Sequence, residues 1–261
     1  MDLKLKDKVV LITGGSKGIG LACARTFAQE GARVAIAARN PAGLDAAVSA
    51  LAREGWSVQG FAADLSEPAQ AADLRTRVEA ALGPIDVLVN SAGAAKRTPA
   101  EQLTAAHWHA AMEAKYFTYI HMMETVLAGM AARRTGTIVN VIGVGGRVAS
   151  TIHLGGGAAN AALMLASTGL ANAYARHGIR INAVNPGTVE TDRYHERVAV
   201  EAAAANVSKE QIISQMTGKL PMGRLAQADE VADMVVFLAS GRAAYVNGAI
   251  VSIDGAANAV P

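Results

Sequence analysis

KVVLITGGSKGIG, residues 8–20, joins a short apolar run to a turn that contains four glycines. The run from Lys8 to Ile12 is rich in β-branched side chains, which is typical of a strand buried on both faces. A helical pattern follows from Leu21 to Glu30. Glycines between a strand and a helix let the backbone turn tightly, and they bring the first N–H groups of the helix close to a phosphate. The stretch therefore predicts a nucleotide-binding turn, the alternative being an ordinary strand-to-helix loop.

Apolar runs of the same kind recur along the rest of the chain, separated by helical patterns. They lie at 33–38, 56–62, 85–89, 136–141, 179–184 and 249–253. The helical patterns include a long one from Pro99 to Arg134 and another from Ala158 to His177. Strands that alternate with helices from end to end predict an α/β fold. We expect a doubly wound parallel sheet of about seven strands with helices on both faces.

The domain organisation is predicted to be simple. We find no internal repeat, linker or change of composition within residues 1–261, so a single dinucleotide-binding domain is expected. Residues 188–219 are polar and rich in alanine, and they show no strand pattern. A segment of this length inside a compact domain is usually functional. We therefore interpret it as a partly helical flap beside the site.

Composition and charge argue against several classes of protein. The net charge is +2 and dispersed, so no nucleic-acid partner is expected. Cys23 is the single cysteine, which gives no disulfide framework and fits a reducing, cytoplasmic setting. Residues 1–7 lack the apolar segment of a secretion signal, and no apolar run approaches the roughly 18 residues of a membrane span. The six histidines show no metal-ligand spacing, so no metal is predicted.

The end of the second predicted strand bears on the choice of nucleotide. An acidic residue about 20 positions beyond the glycines would bind a ribose 2′-hydroxyl and indicate NAD. Here the strand ends at Ala38 and Arg39 follows, while Lys17 lies inside the glycine turn. Two cations without a carboxylate suit a 2′-phosphate, so NADP is predicted over NAD. The alternative is that both cations are solvated surface charges.

The chain resembles a short-chain dehydrogenase/reductase over nearly its whole length. Six landmarks in the family's order and spacing carry the resemblance: TGGSKGIG at 13–20, DL at 64–65, NSAG at 90–93, NPGTVET at 185–191, GRL at 223–225 and GAIVSIDG at 248–255. The resemblance implies a Rossmann-type fold, a nicotinamide cofactor and a small-molecule substrate. It also implies a homo-oligomer, commonly a tetramer and otherwise a dimer.

The glycine turn and the resemblance together indicate which residues hold the cofactor. By resemblance, Asp64 and Leu65 lie beside the adenine, and Val189 and Thr191 face the nicotinamide carboxamide. The full expected set is Gly14, Ser16, Lys17, Gly18, Ile19, Gly20, Arg39, Asp64, Leu65, Asn90, Ala92, Gly93, Asn160, Pro186, Gly187, Val189 and Thr191.

The chemistry of the family normally depends on four side chains. A serine and a tyrosine contact the substrate oxygen, a lysine follows the tyrosine by four positions, and an asparagine lies in an earlier helix. Aligned without gaps, these positions fall on Gly143, Gly156, Asn160 and Lys115, in that order. A shifted register does not restore the motif, since none of the five tyrosines has a lysine four residues later. The resemblance therefore predicts a cofactor site without its usual proton donors.

Two residues are candidates to supply the missing chemistry. Lys115 and Asn160 look like an exchange of residue types, so Lys115 is predicted to reach toward the space of the family's lysine. The alternative is a Lys115 that snorkels to the surface or lies in a subunit interface. His153 precedes Gly156 by three residues, and imidazole is the commonest proton-transfer group near neutral pH. Its alternative is a solvated loop histidine.

The glycines and three further side chains complete the expectations for the site. Glycine at 143 and 156 predicts an enlarged substrate pocket. The run 155–157 predicts either close contact with a ligand, with N–H groups free to hold an anion, or a frayed helix start. With lower priority, Arg147, Tyr194 and His195 are predicted to contact substrate.

Three kinds of function remain open. The first is an NADP-dependent oxidoreductase whose proton donor is Lys115 or His153. The second is a lyase or isomerase that keeps the nucleotide as a structural or electrostatic element. The third is a catalytically silent nucleotide-binding protein. The sequence names no substrate, although an anionic one would suit free N–H groups in the glycine run.

Overall fold

The computed structural model describes residues 1–93 and 95–258 and contains a seven-stranded parallel sheet. Its strands are β1 (Val9–Thr13), β2 (Arg33–Ala38), β3 (Val58–Ala62), β4 (Val87–Asn90), β5 (Gly136–Val141), β6 (Ile179–Pro186) and β9 (Ile250–Ile253), in the spatial order β3-β2-β1-β4-β5-β6-β9. The predicted doubly wound α/β fold is confirmed. Because β1 lies between β2 and β4, the strand order reverses there, and open sheets of this kind bind ligands at that point.

Helices cover both faces of the sheet, and the residues of one strand show why. In β2, Val34 and Ile36 belong to the core under α1 (Gly18–Gln29), α2 (Pro41–Arg53) and α9 (Ala228–Ala239). Ala35 and Ala37 face the opposite core, under α3 (Pro68–Leu82), α5 (Thr118–Arg133) and α6 (Leu154–Ala175). Successive strand residues point to opposite faces. A strand covered on both faces therefore needs a continuous apolar run, which is what the sequence contains.

The prediction of one long helix from Pro99 to Arg134 is wrong. The segment contains a short 3₁₀ turn (Ala100–Gln102), α4 (Ala105–Ala111), a π-helical segment (Met112–Phe117) and then α5. Helix α4 begins after Thr104, whose backbone N–H donates to His107 Nδ1 at 3.2 Å in a capping box. Apolar periodicity did not reveal the change of helix type.

Helix α6 begins at Leu154, four residues before the predicted Ala158, so the glycine run forms its first turn. Close packing explains why residues 155–157 are glycines. A Cβ at residue 155 would lie 3.0 Å from the Cβ of Ala111, and one at residue 157 would lie 2.8 Å from the carbonyl oxygen of Gly145. The run is thus part of a formed helix and not a frayed start, and the N–H of Gly157 donates to the carbonyl oxygen of His153 at 2.8 Å. An anion held by the other N–H groups of the run stays a prediction.

The predicted flap contains α7 (Asp192–Ala205) and α8 (Lys209–Thr217). It differs from the prediction at its start, where β7 (Val189–Glu190) pairs in parallel with β8 (Ala226–Gln227). The flap has a small core of its own, formed by Tyr194, Val198, Ala202, Ile212 and Leu225. Among the described residues, no helix is both long and apolar enough to cross a membrane.

Candidate active site

A cleft of about 370 Å³ lies at the carboxyl ends of β1 to β4, at the point where the strand order reverses. The cleft receives the turn after β1, the ends of β2 and β3, and the residues after β4. The start of α7 closes one side. Its lining consists of Gly14, Ser16, Lys17, Gly18, Ile19, Ala37, Ala38, Arg39, Asn40, Ala63, Asp64, Leu65, Ser66, Ser91, Ala92, Gly93, Ala114, Thr118, Thr191, Asp192 and Arg193.

The glycine turn has the form that a pyrophosphate group requires. Gly14 has φ +68°, and a Cβ there would lie 2.8 Å from the backbone of Ala92. A Cβ at Gly20 would overlap the carbonyl oxygen of Gly14, so Gly20 supports the turn from beneath and does not line the cleft. Lys17 is the N-cap of α1, and within the described residues no side chain caps this helix end. The first N–H groups of α1 are thus available to a phosphate.

The far end of the cleft carries the polar groups expected to recognise an adenosine. Lys17 and Arg39 both line it and are exposed. The Asp64 carboxylate accepts hydrogen bonds from the hydroxyl (2.8 Å) and the N–H (3.1 Å) of Ser66, and these, with Arg39 nearby, lower its pKa. Asn40 accepts from the N–H of Ala42 and caps α2. The helix N–H groups and the two cations along this lining suit the phosphate groups of a dinucleotide.

Several residues expected to hold the cofactor lie outside the lining. Asn90 is buried beneath it, where its Nδ2 donates to Asn140 Oδ1 at 3.0 Å. Pro186 ends β6, followed by Gly187 and Val189, and none of the three lines the cleft, although Thr191 does. Asn160 is also buried outside it.

The space beside Gly156 is filled by His153. A Cβ at Gly156 would overlap atoms Cε1 and Nε2 of the His153 ring. A Cβ at Gly145 would lie 3.6 Å from Cδ2 of the same ring, and one at Gly143 would lie 3.5 Å from Nδ2 of Asn160. The predicted enlargement of the pocket at Gly156 is therefore wrong, since a neighbouring side chain occupies that space.

The ring of His153 is half-buried, and its surroundings favour the neutral form. Its Nδ1 atom is buried and makes no hydrogen bond with any described residue. Burial lowers the pKa of His153, and the positive charges of Arg97, Lys115 and Arg193 lower it further. A neutral imidazole keeps one nitrogen as acceptor and one as donor, so it can take or give a proton.

Lys115 is buried, with 8% of its surface exposed, so the alternative of a snorkelling side chain is wrong. Its Nζ donates to the carbonyl oxygen of Val141 at 3.0 Å and to the hydroxyl of Tyr119 at 2.7 Å. Burial, with the charge of Arg193, lowers the pKa of Lys115 to about 7. Lys115 does not line the cleft, whereas Ala114 and Thr118 do.

The three residues of lower priority have other contacts. Arg147 donates to Ser252 Oγ at 3.4 Å and to the carbonyl of Ile250, beside β9. Tyr194 belongs to the core of the flap, and His195 Nε2 lies 3.6 Å from a carboxylate oxygen of Glu190. Across residues 1–93 and 95–258, no group of three His, Cys, Asp or Glu side chains could hold a metal ion.

Sequence reasoning missed Thr118, Asp192 and Arg193, which line the cleft. Thr118 lies one helical turn after Ala114, but the π-helical segment obscured which face looks toward the cleft. Asp192 and Arg193 directly follow the expected Thr191, and that adjacency was an available signal.

The parallel sheet, the glycine turn and the cleft define a dinucleotide-binding protein of the α/β class. Residues 8–202 match the family model of the short chain dehydrogenases, and the chain belongs to this family. It is 34% identical to 2,3-dihydro-2,3-dihydroxybenzoate dehydrogenase of Bacillus subtilis, over 97% of both chains. It is also 34% identical to D-threitol dehydrogenase of Mycolicibacterium smegmatis, over 97% of this chain and 94% of the relative.

Solved structures agree in fold. A variant of actinorhodin polyketide ketoreductase, solved with NADPH, superposes with a TM-score of 0.93 at 31% identity, covering 97% of this chain and 98% of the other. L-sorbose reductase of Gluconobacter frateurii, complexed with NADPH and L-sorbose, gives 0.94 at 28% identity, covering both chains completely.

Proposed function

We propose that this protein is an NADP(H)-dependent oxidoreductase that interconverts an alcohol and a carbonyl compound, with His153 as its proton-transfer group. The observation that carries the proposal is the position of the His153 ring, which fills the space beside Gly156. In the resemblance drawn from the sequence, residue 156 is where the family places its tyrosine. An imidazole there stands in for the phenol that a glycine cannot supply.

The choice of NADP rests on the adenosine end of the cleft. Lys17 and Arg39 line it, and Arg39 follows β2 where a carboxylate would select NAD. Relatives solved with NADPH, the ketoreductase and the sorbose reductase, support the same choice. When bound, the nicotinamide exchanges a hydride, that is two electrons and one proton, with the substrate carbon.

His153 is the group that moves the remaining proton. In the oxidation direction, its neutral imidazole accepts the proton of the substrate hydroxyl as the carbon loses hydride, and the product is a carbonyl compound. In the reduction direction, the protonated ring returns that proton to the forming alkoxide. Because burial and Arg97, Lys115 and Arg193 lower the pKa of His153, the accepting form prevails at neutral pH. The ring is thus better suited to oxidation than to reduction near pH 7.

The non-standard site is part of the proposal. Gly143, Gly156, Asn160 and Lys115 stand at the positions of the serine, tyrosine, lysine and asparagine. Lys115 acts here as a positioning residue. Its hydrogen bond to Val141 holds the π-helical segment against the end of β5, and its positive charge adds to the effects of burial and Arg97 in lowering the pKa of His153.

The test begins with cofactor binding. Fluorescence titration should show that NADPH binds more tightly than NADH, and failure of both to bind would reject the proposal. A panel of alcohols assayed with NADP⁺ should then give nicotinamide reduction whose kcat/KM rises with pH, with the midpoint of the rise below the ordinary imidazole pKa.

Substitution of His153 separates the remaining possibilities. His153→Ala should lower kcat by about 10²–10⁴-fold and leave NADPH affinity unchanged, and added imidazole should restore part of the rate. His109→Ala, an exposed histidine of α4, is the matched control and should change neither. Turnover without a change in nicotinamide absorbance would instead indicate a lyase or isomerase. NADPH binding without any turnover would indicate a silent binding protein.

We further propose that the chain works as a cytoplasmic homo-oligomer. On α6, Leu165 is 78% exposed and a Cβ at Gly169 would meet no described atom within 4 Å. A large apolar side chain beside an open helix face suits contact with a second copy. Light scattering of the purified protein should give a dimer or tetramer mass, and Leu165→Glu should reduce it.

A further inference from the structure

Beside the cofactor cleft lies a second cavity of about 190 Å³, here called the side cavity. Its lining consists of Lys96, Thr98, Leu103, His107, Ala110, Ala111, Ala114, Leu154 and Gly155. Ala114 lines both cavities, so the two share a wall at the start of the π-helical segment. The proposed cofactor and proton transfer do not account for the side cavity.

The side cavity adjoins the proposed proton-transfer group. Leu154 and Gly155, which line it, directly follow His153 in the chain. On the opposite wall, the N–H of Thr98 donates to the carbonyl oxygen of Ile152 at 3.1 Å. This hydrogen bond ties the loop that carries Lys96 to the loop that carries His153. The backbone on either side of His153 therefore borders the side cavity, although the His153 ring lines neither cavity.

The surroundings of the side cavity are electropositive. Lys96 contributes an exposed ammonium to its lining. Arg97 from the same loop, Lys115 from the π-helical segment and Arg193 from α7 all act on His153 as positive charges. Positive charge that converges from three elements raises the local concentration of anions.

The walls and volume limit the size of such an anion. Leu103, Ala110, Ala111 and Leu154 make most of the lining apolar, with Lys96 as its cation. The side cavity has about half the volume of the cofactor cleft, so it takes a small group. This suits a short aliphatic chain that ends in a charged group.

We propose that the side cavity is the subsite for the acidic end of the substrate, and that the substrate is a short hydroxy or oxo carboxylic acid. The proposal rests on the proposed function, since it takes the reacting oxygen to lie at His153. The carboxylate faces Lys96, and the apolar carbons lie against Leu103 and Leu154.

Binding can be measured without turnover, because Trp108 reports on the side cavity. A Cβ at Gly155 would lie 3.9 Å from Cε3 of Trp108, which is 39% exposed. Tryptophan fluorescence is measured while the protein with NADP⁺ is titrated, in separate experiments, with 4-oxopentanoate, its uncharged methyl ester and the phosphate ester of 4-hydroxybutan-2-one. An oxo compound and NADP⁺ cannot exchange hydride, so only binding is observed. The Trp108→Phe variant shows how much of the fluorescence change comes from Trp108, since the chain has one other tryptophan, Trp56.

The acid should bind at least about tenfold more tightly than its methyl ester, which corresponds to about 1.4 kcal/mol. Lys96→Met should abolish that preference, whereas Lys6→Met, a change of an exposed lysine before β1, should preserve it. Equal binding of acid and ester, or equal losses in the two lysine variants, would overturn the proposal. Tighter binding of the phosphate ester would overturn the choice of a carboxylate. Acid binding that depends on Lys96, in a protein that never transfers hydride, would establish the carboxylate site but reject both the proposed function and the assignment of that site to a substrate.

Discussion

The lined cleft and the proposed reacting end, which lies outside that lining around Gly143 and Gly156, differ in where their side chains come from. At the adenosine end, Lys17, Arg39 and Asp64 line the cleft directly, each from the position where the sequence pattern expects a contact. At the reacting end, Gly143 and Gly156 contribute no side chain. Residues elsewhere in the chain, Asn160 and His153, lie in or against the space that side chains at these positions would need. Alignment of sequence positions therefore predicts the side chains at the adenosine end. At the reacting end, the side chains can be identified only from the packing in the structure.

The largest effect is expected from a substitution in the glycine turn, which lines the cleft. Gly20→Ala places a Cβ against the carbonyl oxygen of Gly14, so the turn must move. We expect NADPH affinity to fall by at least about 1,000-fold, or about 4 kcal/mol, as measured by fluorescence titration. Gly129→Ala, at a helical position of α5 where a Cβ would meet only the end of the Arg133 side chain, is the control and should leave the affinity unchanged. Unaltered NADPH binding by a folded Gly20→Ala protein would contradict this account of the turn.

The reacting end is tested by filling the space that His153 occupies. Gly156→Ala places a Cβ inside the His153 ring, which must rotate away. We expect kcat to fall by about 100-fold, within the range for loss of a general acid or base, with NADPH affinity preserved. Steady-state kinetics and cofactor titration measure the two quantities separately. The double variant Gly156→Ala with His153→Ala should be no slower than His153→Ala alone, and a further large loss would show that the glycine matters for another reason.

Burial of Lys115 gives the reacting end a pH-dependent stability. Its pKa is about 7 in the folded protein against an ordinary 10.5, so the unfolded chain binds the proton more readily and stability falls as the pH drops from about 10.5 to about 7. A difference of this size corresponds to roughly 5 kcal/mol at about 1.4 kcal/mol for each pKa unit. The Lys115→Met substitution removes this unfavourable contribution to the free energy of folding. It also removes two hydrogen bonds, while the Tyr119 hydroxyl still donates to the carbonyl oxygen of Val141.

We therefore expect Lys115→Met to be about 2 kcal/mol more stable than the parent at pH 6.5, with the advantage shrinking toward pH 10. Urea unfolding at the two pH values measures it. A stability difference that stays constant between pH 6.5 and pH 10 would show that Lys115 is not the titrating group.

The smallest expected effect concerns nucleotide preference. Arg39→Ser removes a cation from the adenosine end and should weaken NADPH binding about tenfold while leaving NADH binding nearly unchanged. Arg53→Ser, at the end of α2, is the control and should alter neither. Loss of affinity for both nucleotides to the same degree would indicate that Arg39 stabilises the strand end rather than a 2′-phosphate.

Much of the fold was predictable because its signals are local in sequence. The apolar runs, the glycine turn and the alternation of strand and helix each follow from neighbouring residues, and together they specify the order of the layers. The departures have physical causes. The change to π-helical geometry at Met112–Phe117 leaves no mark in apolar periodicity, and the first turn of α6 is a glycine run that ordinarily disfavours helix.

The site was predictable in part for the same reason. Most expected residues of the glycine turn line the cleft, because a turn is made by consecutive residues, whereas Gly20 supports the turn from beneath. His153 was a candidate from its sequence position, but the meaning of that position depends on how its ring packs over Gly156. The burial of Lys115 depends on β5, which lies more than 20 residues further along the chain.

The π-helical segment also sets how the chain tolerates changes of length. Each residue of an α-helix advances the helix by about 100°, whereas a π-helical turn takes up one residue more. The six residues Met112–Phe117 therefore turn the chain about as far as five α-helical residues would. Deletion of one of them would restore α-helical pairing and leave α4 in nearly its present orientation to α5, with Ala111 still against Gly155. A deletion here would therefore cost less than one inside α4 or α5, where the rest of the helix would turn by about 100°.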